Sequence, residues 1–439
     1  MTVPVSLTVA ASGPFFDNLP GQMNFSMKAG GKVSPQTIQI LNGGSGKLAW
    51  TLTPTTADGG LWLVPSLVSG LTTPKLITVK INTTLLPGAG HIPGNYIGQL
   101  LLQSAASTAT VGVVVTVGTA DFAQINSLNF VMPVGGANPL PQVITAAAID
   151  NSALRFGAFT ATAKGGNWLQ ISTSGAGCCF TPFPLRVSIT GGSLPVGVYT
   201  GEINLYQFAN PGTSTTIPVT LTVISASKAF FDNLPGQTSF SFKPSATNPP
   251  PQTIQIRNAG VATPLNWSIS KNTADFGTWL SVLPVTGTGT GSYVVKVINS
   301  KLPGKGLVPG TFIGQQVIKT KTGNVTIPTV VRVGDPVFVQ PTEVNFSTHV
   351  GANPAPQSIA ISSTGTAIRF TPLAASAHGG NWLSVSPNGT GCCFTPTNVS
   401  FSVNASGLAA GSYTGEVNII EFANPAKSMT VQVNLTVSP

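Results

Sequence analysis

The chain has 439 residues, enough for several hydrophobic cores. Charged residues make up 7% of it, while hydrophobic residues reach 42% and Gly (49) and Pro (36) are abundant. That balance excludes a disordered chain and points to a folded, turn-rich one. The net charge of +9 divides as +3, 0, +8 and −2 over the four units defined below. The basic residues of the third unit, among them Lys243, Lys271, Lys296 and Lys319, are scattered and lack interleaved aromatics. Nucleic acid is therefore not an expected partner. The asymmetry suits packing between copies, a basic third unit against an acidic fourth.

In chain order, the first element is a strand-like segment, Thr2 to Val9, in which Val3, Val5, Leu7 and Val9 alternate with smaller or polar residues. It matches the closing strands Ile217 to Val223 and Val431 to Val437, yet each unit already has one of its own. Three explanations fit this surplus strand. The chain is a segment of a longer array, the strand augments a sheet in a neighbouring copy, or it lies along the edge of its own first unit. Met1-Thr2-Val3-Pro4 does not open a signal peptide, and no apolar run approaches the length of a membrane span.

The rest of the chain repeats. Phe15-Phe16-Asp17-Asn18-Leu19-Pro20-Gly21-Gln22 returns at Phe230 to Gln237, and Gly-Cys-Cys-Phe-Thr-Pro occurs at Gly177 and again at Gly391. Beneath this lies a finer period. Pro-Gln pairs recur at Gln36, Gln142, Gln252 and Gln357, and Trp-Leu pairs at Trp62, Trp168, Trp279 and Trp382. A Gly-x-(Tyr/Phe)-x-Gly signature recurs at Tyr96, Tyr199, Phe312 and Tyr413. The landmarks predict an orphan strand at 1–10 and four units, type A at 11–118 and 226–334 and type B at 119–225 and 335–439.

Each unit reads as short strands separated by turn residues, so the expected fold is all-β: four tandem immunoglobulin-like sandwiches. Leu48, Trp50 and Leu52 alternate inward, as do Leu265, Trp267 and Ile269, whereas type B carries Phe156 and Phe370 at the aromatic position. The first glycine of each Gly-x-(Tyr/Phe)-x-Gly signature is expected to take unusual backbone angles. The Pro of the closing strand, such as Pro218, is expected at a sheet edge. Junctions near 119, 225 and 335 are too short for tethers, which predicts a stiff rod of roughly 150 Å with modules end to end.

Asn381-Trp382-Leu383-Ser384-Val385-Ser386-Pro387, then Val399 to Val403, then Leu408 to Val417, resembles the BACON-type bacterial immunoglobulin-like repeat. The likeness covers all four units loosely and the fourth best. It implies β-sandwich modules of bacterial surface or secreted proteins, a family given a carbohydrate-binding label. The Cys-Cys insertion departs from the family pattern.

The four cysteines form two adjacent pairs, Cys178-Cys179 and Cys392-Cys393. Two thiols with no nearby His motif do not make a zinc site. A vicinal disulfide, cross-links between chains, and free thiols all remain open. His91, His349 and His378 have no nucleophile partner pattern, Asp17 and Asp232 read as turn residues, and Glu202 and Glu416 read as solvated. No catalytic, cofactor or metal residue is expected. The expected function is a structural, non-enzymatic repeat protein at a bacterial surface or outside the cell, self-associating into a filament through strand edges such as that of Val3, Val5, Leu7 and Val9. The alternative is adhesion to polysaccharide through the aromatics left outside the cores, Tyr206, Phe208 and Phe422.

Overall fold

The computed structural model describes residues 12–17, 19–71, 73–118, 121–172, 175–209, 214–232, 234–260, 263–377 and 379–439. The segment carrying Val3, Val5, Leu7 and Val9 lies outside them, as does His378.

Among the described residues four five-stranded sheets recur, each faced by a smaller sheet. In the first, the opening strand Gln22–Met27 pairs with the closing strand Thr108–Val117, followed across the sheet by Gly94–Ser104, Trp50–Thr56 and the short edge Ser69–Gly70. All neighbouring strands are antiparallel except the opening and closing pair, which is parallel. The same parallel pair recurs as Leu128–Pro133 with Ser214–Ile224, Thr238–Phe242 with Asn324–Val333, and Val344–His349 with Met429–Ser438. Between the facing sheets lie four clusters of buried side chains.

The repeated landmarks are the walls of these cores. Trp62, Trp168, Trp279 and Trp382 are buried, as are Trp50, Phe156, Trp267 and Phe370. Alternation along each strand places them there, and burying each large ring removes much apolar surface from water. The Tyr96, Tyr199 and Tyr413 hydroxyls each donate to the carbonyl four residues upstream, those of Ile92, Pro195 and Ala409, at 2.8, 2.9 and 2.8 Å. This is a tyrosine corner that closes one end of the sandwich. The second glycine of the signature is fixed by the tryptophan. A Cβ on Gly98 or Gly415 would stand 3.0 Å from Cη2 of Trp62 or Trp382. Of the first glycines, only Gly94 and Gly411 have positive φ.

The Gln of each Pro-Gln pair begins a strand of the smaller sheet and reaches across the core. Nε2 of Gln142, Gln252 and Gln357 donates to the opening-strand carbonyls of Asn129, Ser239 and Asn345 at 2.8, 2.6 and 2.7 Å, and Gln36 does the same to Asn24. One side chain thus staples the two sheets, satisfying a carbonyl at the sheet's otherwise open side.

Three expectations are corrected. Pro218 lies on an interior strand, not at an edge. It pairs with Glu202 on one side, and the parallel partner begins only at Val219, so its missing N–H costs no rung. Glu416 is fully buried, because a neighbouring module covers the face it points to. The modules do not meet only end to end: each opening strand lies against the closing strand of the next module, and Ser34 of the first module donates to the Thr273 carbonyl of the third at 2.8 Å.

Candidate functional site

The strand contact between successive modules is built from one position used three times. Asn24, Asn129 and Ser239 each precede the core Phe of an opening strand. Asn24 accepts from the Thr216 amide at 2.9 Å and donates to the Ser214 carbonyl at 3.0 Å. Asn129 donates through backbone N and Nδ2 to Thr326 Oγ1, both at 3.0 Å. Ser239 Oγ accepts from the Thr430 amide at 2.6 Å. The sheet registers make Thr216, Thr326 and Thr430 equivalent.

The Phe-Phe-Asp-Asn-Leu-Pro-Gly-Gln string is the second part of the A-to-B contact. Its aspartates, read from the sequence as turn residues, also meet cations. Asp17 accepts from Lys164 Nζ at 2.6 Å, and that ammonium sits 5.7 Å from the centre of the Tyr199 ring. Asp232 pairs with Arg257 at 3.5 Å, whose guanidinium lies 5.0 Å over Tyr413. In each case a cation is held between a type A aspartate and the corner tyrosine of the following type B module. The Gly236 amide donates to Glu416 Oε2 at 3.1 Å, and a Cβ there would stand 2.1 Å from the Pro141 carbonyl of the second module. Burial raises the Glu416 pKa, while Asn418, Arg186 and the Gly236 amide oppose that rise. Burial also pushes Asp121, at the entrance to the second module, up to about 6. The sequence marked this string by repetition, but nothing in it said which face it would meet.

The B-to-A contact is more apolar. Ile313 and Val330 of the third module join the second module's core beside Ile125, with Gln315 Nε2 donating to Ser127 O at 3.3 Å.

The exposed candidates gather at the edge strand of the type B modules. In the fourth, Cys392 and Cys393 are joined as a vicinal disulfide. In the second, Cys179 is disulfide-bonded too. Cys179 and Cys393 point inward, Phe180 and Phe394 outward, and Thr181 and Thr395 inward again. The threonines anchor the turn by accepting from the Leu154 and Ile368 amides at 2.8 and 2.9 Å. Phe180 and Phe394 pair across the sheet with Arg155 and Arg369. Arg155 lies 4.4 Å over Phe208; Arg369 lies 4.3 Å over Phe422 and 5.8 Å from Phe394. Arg369 Nε also donates to the Gly391 carbonyl at 2.7 Å, tying the cysteine turn to the platform. Phe208 and Phe422 are thus brought together with the cysteine loops in each type B module. Tyr206 stands apart on the sheet face, against Phe159 at 6.1 Å.

Among the described residues, no group of three or more His, Cys, Asp or Glu is placed to hold a metal ion. No helix among them is long and apolar enough to cross a membrane.

The repeated two-sheet units, tyrosine corners and core tryptophans define a tandem array of immunoglobulin-like β-sandwiches. The model of the viral BACON domain matches residues 236–332 and 336–434, two tandem repeats in the second half of the chain. The description is viral, where the sequence likeness pointed to bacterial surface proteins. No curated protein matches the chain. Among solved structures it is similar to Drosophila N-cadherin EC1-4, with 11% identity, 95% of this chain and 99% of that chain covered, and a TM-score of 0.20. Human desmocollin-1 ectodomain gives 11%, 95%, 80% and 0.19. An endo-fucoidan hydrolase of glycoside hydrolase family 107 gives 12%, 73%, 44% and 0.20. At these TM-scores the overlaps bear on neither module arrangement nor activity.

Proposed function

We propose that this chain is a non-enzymatic, secreted or surface-displayed scaffold that adheres to polysaccharide or to another surface through its type B modules. The observation carrying this reading is the duplicated cluster of exposed phenylalanines around an arginine, Phe180, Arg155 and Phe208 in one module and Phe394, Arg369 and Phe422 in the other. Flat apolar rings beside a fixed donor fork suit the apolar face and hydroxyls of a sugar ring. The interlocked modules hold two such clusters at a set spacing, which favours multivalent attachment. The family's viral description extends the location from a cell surface to the outside of a virus particle. Glycan-array or immobilised-polysaccharide binding tests this: Phe208→Ala with Phe422→Ala should abolish binding while leaving the melting temperature unchanged. A wild-type chain that binds no surface sinks the reading.

A second reading, a structural filament built from the whole chain, is favoured by a separate observation, the strand contact that recurs at all three module junctions. The surplus first strand, Val3, Val5, Leu7 and Val9, belongs to that reading as an added assembly element.

A further inference from the structure

Both halves of the second-to-third junction recur elsewhere, one on the first module and one on the fourth. On the third module it uses Ile313, Gln315, Thr326 and Val330, all buried. The matching registers place Ile97, Gln99, Thr110 and Val114 at the same four positions of the first module, and the residue types are identical. There Ile97 is 58% exposed against 8% for Ile313, and Gln99 and Thr110 are exposed. The other half of the contact is repeated on the fourth module. Asn345 stands where Asn129 stands, preceding the core Phe, and is exposed. Ser358 and Ala360 are exposed at the positions of the buried Val143 and Thr145.

We propose that the fourth module of one copy docks on the first module of a second copy, reproducing the contact between the second and third modules. The inference rests on the filament reading and names its joining surfaces. The occupant follows from continuity with the established junction: a type B opening strand against a type A sheet face, Asn345 of one copy against Thr110 of the next. Charge agrees with it, since the fourth unit carries −2 and the first +3. Because the two faces differ, the contact is heterologous and repeats without closing unless its rotation brings it back on itself, so it builds an open filament.

The test uses the full chain in sedimentation velocity and light scattering across micromolar to near-millimolar concentrations. The wild type should at least double its average mass. Ile97→Asp and Asn345→Arg should each stay monomeric. An equimolar mixture of the two should form dimers and stop there, because each partner supplies the face the other lacks; the dimer also shows that both variants are folded. A wild type that is monomeric throughout overturns both this proposal and the filament reading. Wild-type association that neither substitution reduces overturns the assigned surfaces and leaves the filament reading standing. Folded variants that fail to dimerise on mixing also overturn the assignment.

Discussion

Type A and type B modules close the same sheet edge with different pairs of side chains. In type A the edge strand offers Gly70 or Gly287 opposite Trp50 or Trp267. A Cβ on these glycines would stand 2.6 Å or 2.1 Å from the indole. In type B the edge offers Cys179 or Cys393 opposite Phe156 or Phe370. The smaller ring is matched by a larger cross-strand neighbour, so the space left by the missing indole is taken by a buried half-cystine. The cysteines are thus first a packing element, and the exposed Phe-Arg cluster is built on top of them. Conserving volume across a pair keeps density where single changes would lose it.

Breaking the pair in type A should have the largest effect. Gly287→Val places side-chain atoms inside the Trp267 ring and should cost about 4 kcal/mol in denaturant unfolding, with the third module unfolding first by limited proteolysis. Trp267→Phe makes the type A ring type B without the matching neighbour. It should cost about 2–3 kcal/mol through the cavity and the lost bond from Nε1 to the Gly289 carbonyl, 3.2 Å in the wild type. The entrances of the two type B modules differ in their carboxylates. Asp121 is buried and titrates at about 6, whereas Asp335 is exposed and held low by its hydrogen bond to Lys243. A folded pKa above the unfolded one means the native state binds the extra proton. Stability should therefore fall, on the order of 2 kcal/mol, as pH rises from about 4 to 6, and Asp121→Asn should flatten that slope in pH-dependent melting.

Replacing both Cys392 and Cys393 by Ala should cost about 1–2 kcal/mol, since the Phe370 ring then faces a partly empty edge. In the wild type, intact mass should rise on reduction, and non-reducing gels should show no covalent dimer. Arg369→Ala should cost under about 1 kcal/mol in melting, as expected for a partly exposed cation–π contact. Hydrogen exchange should rise locally at the Gly391 turn, with no matching change in the second module.

Much of this architecture was legible because alternation along a strand says which side chains share a face. Trp62, Trp168, Trp279, Trp382 and the corner tyrosines all declared themselves by period, and each is in or against a core. Periodicity does not say what covers a sheet's outer face. Glu416 and Glu202 therefore looked alike in sequence, although a neighbouring module buries the first completely and leaves the second half-buried. For the same reason the cations that meet Asp17 and Asp232, Lys164 and Arg257, could not be read from the repeated string itself. The Trp-to-Phe exchange did hold a readable signal. The cysteine pairs occur only in the units where the ring is smaller, a correlation that names the edge strand as its neighbour.

The parallel opening and closing strands also set how a module bears tension. The chain enters each sandwich at the start of one strand and leaves at the far end of the other, so a pull along the chain slides the two past each other. Every rung between them is then strained at once, where a hairpin peeled from its open end would give way rung by rung. Five or six such rungs per sandwich make each unit a shear lock.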